Sequence, residues 1–541
     1  MCKPVSFALC VCALLLSLFL AGCGLSSGKA QVSDPPPTPP SSKNVSTFFG
    51  MNQTHYAGCE SGYFAFPLFD APVGAYRNFG GCGTLWADMN PAPNTFDFSR
   101  LDILFGALKQ KGIDDVLITL GNVPNWISSN PTDLLCDQAA IDRLPPGMCD
   151  PPKDLNRDGT GTDLAWRTFA TALLNHVTSS SYSGTHAHIG FYEIWNEYPR
   201  SDTLNSTFTC HCPTGQKNCA NPGQSCAYRG TFAQMLRMTQ DLRCIVEGHP
   251  DDPITATGQT CGSAGYSAIG LDPSALVAEG NAGGVLGGGD NSTMQNYLYC
   301  NNNPPAGSLC NYGSAGSAAT DVIIGHSYFN QIPEDLLHGI SAQKAMLTTT
   351  DAAKPYFTGE GSWGHNSNVD DPGLQAAYVP RWYLVLLMAG VQRGYWFAWD
   401  EFEQGGTGGM WAPASQNFPP EECTTPDTGA SGFYCGGGIA YIQTVNWLDG
   451  ATVVDFNCPG TCPQAYPGVF TFNLTRDGGY QAQIAWDSSA GAPCQNVVCG
   501  STSFTAPPFA TQWRDVAGNT HAGAPTTIGA APIIIENMPR P

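Results

Sequence analysis

Ile189-Gly190-Phe191-Tyr192-Glu193-Ile194-Trp195-Asn196-Glu197 is an apolar, aromatic-rich run that closes on an amide and a carboxylate. A short run of this kind suits a strand buried on both faces, as in a parallel sheet. A second run, Tyr356-Phe357-Thr358-Gly359, closes on Glu360. Working outward, further candidate strands are Phe48–Met51, Gly74–Arg77, Val116–Leu120, Ile254–Thr257, Val322–His326 and Gly394–Phe397. Helical periodicity intervenes at Leu101–Lys111, Leu164–Val177, Phe232–Val246, Glu334–Leu347 and Leu374–Ala389. Eight strands alternating with helices predict an α/β fold, a (β/α)8 TIM barrel spanning 46–405.

The flanks divide the remainder. Residues 406–437 are a Gly/Pro/Cys-rich bridge, and 438–541 change to a period of two, as in Ala440–Val445, Val469–Phe472, Tyr480–Trp486, Thr511–Arg514 and Ile533–Glu536. That pattern predicts an antiparallel β-sandwich. At the other end Lys3 precedes an apolar stretch from Val5 to Leu20, and Leu20-Ala21-Gly22-Cys23 follows, which resembles a bacterial lipobox. Residues 1–22 then read as a lipoprotein signal peptide, Cys23 as the lipidated residue, and 23–45, with Pro35-Pro36-Pro37-Thr38-Pro39-Pro40, as a stiff extended spacer. The expected location is exported and membrane-anchored, the outer membrane or cell surface before the inner membrane.

Four of the 22 cysteines belong to leader and anchor, which leaves an even number for an oxidising compartment. Local couples are expected between Cys136 and Cys149, Cys300 and Cys310, Cys423 and Cys435, Cys458 and Cys462, and Cys494 and Cys499. The cluster Cys210, His211, Cys212, Cys219, Cys226 lacks paired C-x-x-C knuckles and reads as disulfides before zinc. The formal net charge of -21, with 23 Lys+Arg against 44 Asp+Glu, leaves no basic footprint for nucleic acid or an anionic bilayer. Aromatics nearly as frequent as charged residues (11% against 12%) suit neutral ligands instead.

In a (β/α)8 barrel chemistry sits at the C-terminal ends of strands. Glu197 and Glu360 stand at two such ends, far apart in sequence. Cleaving a glycosidic bond needs such a pair, one acid to protonate the leaving oxygen and one ionised group on the other side of the anomeric carbon.

With Arg77 closing the second strand, His326 and Tyr328 closing the sixth and Trp396 on the eighth, the order resembles the clan A glycoside hydrolases. Glu193–Glu197, Thr119–Trp126, Leu101-Asp102 before a helix and Trp447–Ala451 are most similar to family 39, the β-xylosidase and exopolysaccharide-hydrolase type. Tyr198-Pro199 departs from that family's usual Pro-Asn.

The resemblance implies a retaining hydrolase of a β-linked glycoside or polysaccharide working through a covalent glycosyl-enzyme. Glu197 would be the acid/base and Glu360 the nucleophile, with substrate contacts or support from Arg77, Asn196, His326, Tyr328, Trp396, Trp126 and His55, and with no cofactor required. Trp399 competes with Trp396 for the sugar platform, because a one-residue slip reverses which side chain faces inward. Trp86, Trp363 and Trp411 are further aromatic candidates. The alternatives are an endoglucanase- or mannanase-like clan A enzyme, a transglycosylase, and a non-catalytic surface carbohydrate-binding protein. Finally, Asp154, Asn156, Asp158 and Asp163 alternate as in a calcium loop, although Ala165 holds the twelfth position, so a structural calcium is one expectation and a helix-capping turn the other.

Overall fold

The computed structural model describes residues 45–59, 67–133, 146–198, 228–280, 284–286, 288–300, 310, 312–329, 331–363, 372–400, 409–413, 423–427, 432–460, 467–491 and 501–540. Eight parallel strands form the central sheet: β1 Phe49–Asn52, β2 Ala75–Phe79, β3 Val116–Thr119, β4 Ile189–Glu193, β5 Leu276–Ala278, β6 Ile323–His326, β7 Tyr356–Glu360 and β8 Arg393–Trp396. They are ordered β5-β4-β3-β2-β1-β8-β7-β6. A parallel bridge between Ala278 and Val322 closes the sheet on itself, and Glu279 N–H donates to the Val322 carbonyl at 2.9 Å. The (β/α)8 barrel predicted from the strand pattern is the fold found.

Alternation along the strands decides what the lumen contains. Ala75, Leu117, Phe191, Ala278, Val322, Ile324, Phe357 and Tyr395 pack together in one cluster. Side chains two residues further along a strand share its face, so Arg77, Thr119, Glu193, His326 and Phe397 form the next layer, at the C-terminal mouth. At the opposite end the Arg393 guanidinium lies 4.6 Å from the Phe191 ring and 4.7 Å from that of Phe357, anchored by Asp115 at 2.6 Å.

The outer helices include α1 Ser99–Lys111, α2 Leu164–Val177, α3 Phe232–Val246, α4 Asp335–Ala345 and α5 Pro372–Met388. In α2 the buried Trp166, Phe169, Ala170, Leu173, Leu174 and Val177 recur at helical spacing. Helix α1 stops at Gly112, whose φ of 84° and N–H bonds to the Leu108 and Lys109 carbonyls make a left-handed cap. Helix α3 opens with a reciprocal capping box between Thr231 and Gln234.

Two expectations need correction. The fifth strand is Leu276–Ala278, not Ile254–Thr257: Pro253–Ile254 pairs with Gln259–Thr260 in a small hairpin held to α3 by the Cys244–Cys261 disulfide. The β-branched run at 254–257 carries the stronger strand signal, but the barrel needs only three residues there. Second, Ala440–Val445 is not a strand but lies within α6, Gly436–Leu448, where every residue from Ala440 to Val445 is buried. A helix enclosed all round loses the one-sided stripe that distinguishes it in sequence. It packs along α5 and Tyr441 donates to the Pro72 carbonyl at 2.9 Å, so this part of the predicted sandwich segment is barrel wall.

Beyond α6, six antiparallel strands follow: β9 Thr452–Asn457, β10 Val469–Arg476, β11 Tyr480–Asp487, β12 Gln512–Arg514, β13 Thr520–Ala522 and β14 Ile533–Glu536. Their order is β9-β10-β11-β14-β12-β13. One face offers Phe470, Phe472, Ile484 and Trp486 to the main core; the other carries Ala485, Ile533 and Ile535, against which Ile528 of a separate two-stranded ladder packs. Trp486 fastens sheet to barrel, donating from Nε1 to Glu334 at 2.7 Å. Glu334 also takes two donors from the buried Arg381.

Disulfides join Cys300 to Cys310 and Cys423 to Cys435, as the spacing suggested, and also Cys59 to Cys82 and Cys244 to Cys261. Cys149 and Cys458 are disulfide-bonded too. Cys136, the Cys210–Cys226 cluster, Cys462, Cys494, Cys499 and the segment with Cys23 lie outside the described residues. Among the described residues no helix is long and apolar enough to cross a membrane.

Removing Glu334 strands a buried guanidinium and an indole N–H together. Glu334→Ala is expected to cost about 3–5 kcal/mol of stability, read as a lowered midpoint in urea unfolding.

Candidate active site

Strict alternation would turn Glu360 away from the lumen, since Phe357 already points inward. The pairing of β6 with β7 slips at this point: Gly325 pairs with Thr358, but His326 pairs with Glu360. One extra residue in β7 returns the carboxylate to the mouth. Glu197 arrives from the loop after β4 with a left-handed φ of 45°, a conformation uncommon outside glycine.

The two carboxylates meet. An oxygen of each and a nitrogen of His326 lie within 4.8 Å of one another. Glu360 Oε1 accepts from Arg77 Nη1 at 2.7 Å and Oε2 from the Tyr328 hydroxyl at 2.8 Å. His326 Nδ1 lies 2.8 Å from Glu197 Oε1 and 3.5 Å from Glu360 Oε2. The Glu197 side chain is 33% exposed and that of Glu360 7%, so the acid at the rim is open and the one beneath it enclosed.

Arg77 is fully buried. Its Nε and Nη2 donate to Glu193 Oε2 at 3.0 and 2.7 Å, and Nη2 also to Asn196 Oδ1 at 2.7 Å. Burial alone would draw its proton off, but the negative charges of Glu193 and Glu360 more than reverse this and keep the guanidinium charged. Burial, then the nearby Glu360 and Glu197, push the Tyr328 hydroxyl well above the ordinary tyrosine range, so it remains a donor.

Arg77, Asn196, Glu197, His326, Tyr328 and Glu360 therefore converge as expected, though His326 is wholly buried beneath the carboxylates and touches the acid. Trp396 does not reach the site. It is buried on the outer face of β8 with its ring centroid 5.1 Å from that of Trp363 and 5.2 Å from that of Trp382. Phe397 holds the inward position, its ring 6.5 Å from that of Tyr328.

The other aromatics pack elsewhere. Trp399 packs against Phe69 and Tyr434, Trp86 against Trp166 and Phe169, and Trp411 donates to Asp427. Trp126 lies in the loop after β3 with its indole N–H on the Asn90 carbonyl at 2.8 Å. The His55 backbone is held by Asp400 at 2.7 Å.

Four residues at the strand ends escaped the sequence reading as site residues: Glu193, Thr119, Phe397 and Glu279. Glu279 follows β5 and accepts from Tyr198 at 2.9 Å, which accounts for a buried tyrosine after Asn196-Glu197. Burial pushes its carboxyl well up, with Asp351 and Glu193 adding to this against the Tyr198 bond. Inward alternation at the strand ends would have found Glu193, Thr119 and Phe397; Glu279 was hidden by the misplaced fifth strand.

Asp154, Asp158 and Asp163 form no three-carboxylate cluster among the described residues. Asn156 and Asp158 spend their side chains on Thr160 at an exposed turn, while Asp154 Oδ2 caps α2 by accepting from Ala165 N–H at 3.1 Å. Asp163 is fully buried and turned toward Asp241. Burial, then the like charge of Asp241, push its carboxyl well up, with Arg237 opposing. Elsewhere Asp133, Cys149 and Asp150 have metal-ligand spacing, but the Cys149 sulfur is in a disulfide, and burial followed by Asp133 pushes Asp150 up to about 7.

No family model matches the chain, and no curated protein matches it. Solved structures do. A family 39 glycoside hydrolase from the gut symbiont Bacteroides cellulosilyticus WH2 superposes with a TM-score of 0.50 at 12% identity, covering 91% of this chain and 81% of that one. The fold is shared with glycoside hydrolases. A glucosidase from Croceicoccus marinus (TM-score 0.49, 10% identity, 91% and 96% covered) and a family 39 β-xylosidase from Caulobacter crescentus (0.46, 15%, 91% and 97%) also match.

The folded protein holds the Asp163 proton at pH values where an unfolded aspartate has released it, so stability falls as pH rises above about 4. Asp163→Asn is expected to raise Tm by about 2 °C or more at pH 7, with the gain vanishing near pH 4. With Asn156 and Asp158 engaged, added calcium is expected to leave the wild-type Tm unchanged.

Proposed function

We propose that the protein is a retaining glycoside hydrolase that cleaves a β-linked glycoside or polysaccharide by double displacement. The observation that carries this is the pair Glu197 and Glu360 with oxygens within 4.8 Å of one another. Retaining enzymes hold their carboxyl groups about 5–5.5 Å apart, whereas inverting ones leave about 6.5–9.5 Å for a water.

The asymmetry of the pair supports a division of roles. Glu360 receives two hydrogen bonds, one from a permanent cation, and is the ionised group that attacks the anomeric carbon from beneath. Glu197 stands at the rim on His326 and gives its proton to the departing glycosidic oxygen. It then takes a proton from the water that hydrolyses the glycosyl-Glu360 ester, restoring both carboxyls. Asn196, its Oδ1 fixed by Arg77, directs its amide N–H groups to the sugar 2-hydroxyl, a bond that strengthens as positive charge develops at the anomeric carbon. Phe397 offers a ring face to the sugar. The paired cysteines fit export to an oxidising compartment, and in this reading a lipid on Cys23 tethers the enzyme there.

A panel of aryl β-glycosides and polysaccharides tests the proposal, with the anomer of the first product read by NMR. The expected product keeps the substrate's configuration; an inverted anomer removes the double displacement, and no cleavage removes the enzyme. Glu197→Gln is expected to lower kcat on unactivated glycosides by about 10²–10⁴-fold, with much smaller loss on aryl glycosides whose leaving group needs no proton. Glu360→Gln is expected to abolish turnover on both.

A further inference from the structure

Glu193 lies outside the acid pair, wholly buried at the end of β4. All its hydrogen bonds among the described residues fall on one oxygen. Oε2 accepts from Arg77 Nε at 3.0 Å, Arg77 Nη2 at 2.7 Å and the Thr119 hydroxyl, while Oε1 has no partner there. A guanidinium gripped along its Nε–Nη2 edge cannot rotate, and its Nη1 is thereby aimed at Glu360 and its remaining Nη2 proton at Asn196. One buried positive charge is thus divided between two buried carboxylates.

Resting on the reading of Glu360 as nucleophile, we propose that Glu193 is a positioning residue: by holding part of Arg77's charge and fixing its orientation, it sets how firmly Glu360 keeps its own negative charge. Too full a share of Arg77 would make Glu360 a poor nucleophile, and too small a share would let it protonate. Thr119 trims the division, since each hydrogen bond it supplies to Glu193 is one that Arg77 need not. The other ionisable groups facing this pair are Glu197, His326, Tyr328, Glu279 and Tyr395, and the substitutions below leave all of them in place.

The test is the pH dependence of kcat/KM for the full-length enzyme on a glycoside that wild type cleaves. Glu193→Gln removes a like charge and hands Arg77 to Glu360, so the acid limb is expected to move down by about one pH unit while kcat falls roughly tenfold. Thr119→Val keeps shape and charge but makes Glu193 draw harder on Arg77, so its acid limb is expected to move up by a few tenths of a unit, with Tm lowered by a few degrees for the lost buried hydrogen bond. A role confined to packing would lower activity without moving either limb. Acid limbs that coincide with wild type in both variants overturn the inference and leave the hydrolase standing. If Glu193→Gln does not fold, an unmoved limb in folded Thr119→Val overturns it alone. A wild type that cleaves nothing overturns the hydrolase and the inference together.

Discussion

A guanidinium sealed from water at the mouth of a barrel demands anions around it, because an isolated charge there would cost several kcal/mol. Arg77 has 0% exposure, and its three neighbours arrive from β4, the loop beyond β4, and β7. The arginine therefore ties together side chains from strands that the chain contributes far apart. The carboxylate at the rim takes its place on top of this arrangement through His326. Geometry at the centre follows from how one cation is satisfied.

How much of this was legible depended on periodicity. The ends of β2, β4, β6 and β7 were readable because a polar group after an apolar strand has few structural reasons to be there, and Arg77, Asn196, Glu197, His326, Tyr328 and Glu360 all met where expected. Trp396 is turned away from the mouth by parity: with Tyr395 in the lumen, position 396 must face the helices and 397 the mouth. Glu360 reaches the mouth although its parity is wrong, because a bulge redirects it, and a bulge leaves little trace in sequence. Strand β5 is three residues long and closes the barrel by backbone bonds, which composition does not report. Helix α6 is enclosed on every side, so its pattern has no phase to read.

The loop at 154–163 carries a different lesson. Alternating oxygens are necessary for a cation site but also make good turns, since Asn, Asp and Thr side chains bond to the backbone two residues on. Asp158 and Thr160 do that here. The residue that turned inward, Asp163, is one whose carboxyl burial keeps protonated.

Helix α6 has a further bearing on how the chain can be divided. It takes the Pro72 carbonyl through Tyr441 and lies along α5, while the residue that follows it, Asp449, accepts from the Ser46 backbone at 2.8 Å. The first described strand and the last barrel helix are thus stitched by what looked like the opening of an appendage. A gene cut between residues 437 and 438 would not release a free-standing module; it would peel a stave from the barrel. After Gly450 the chain leaves the wall for β9, and the sheet begun there returns to the same core through Phe470, Phe472, Ile484 and Trp486.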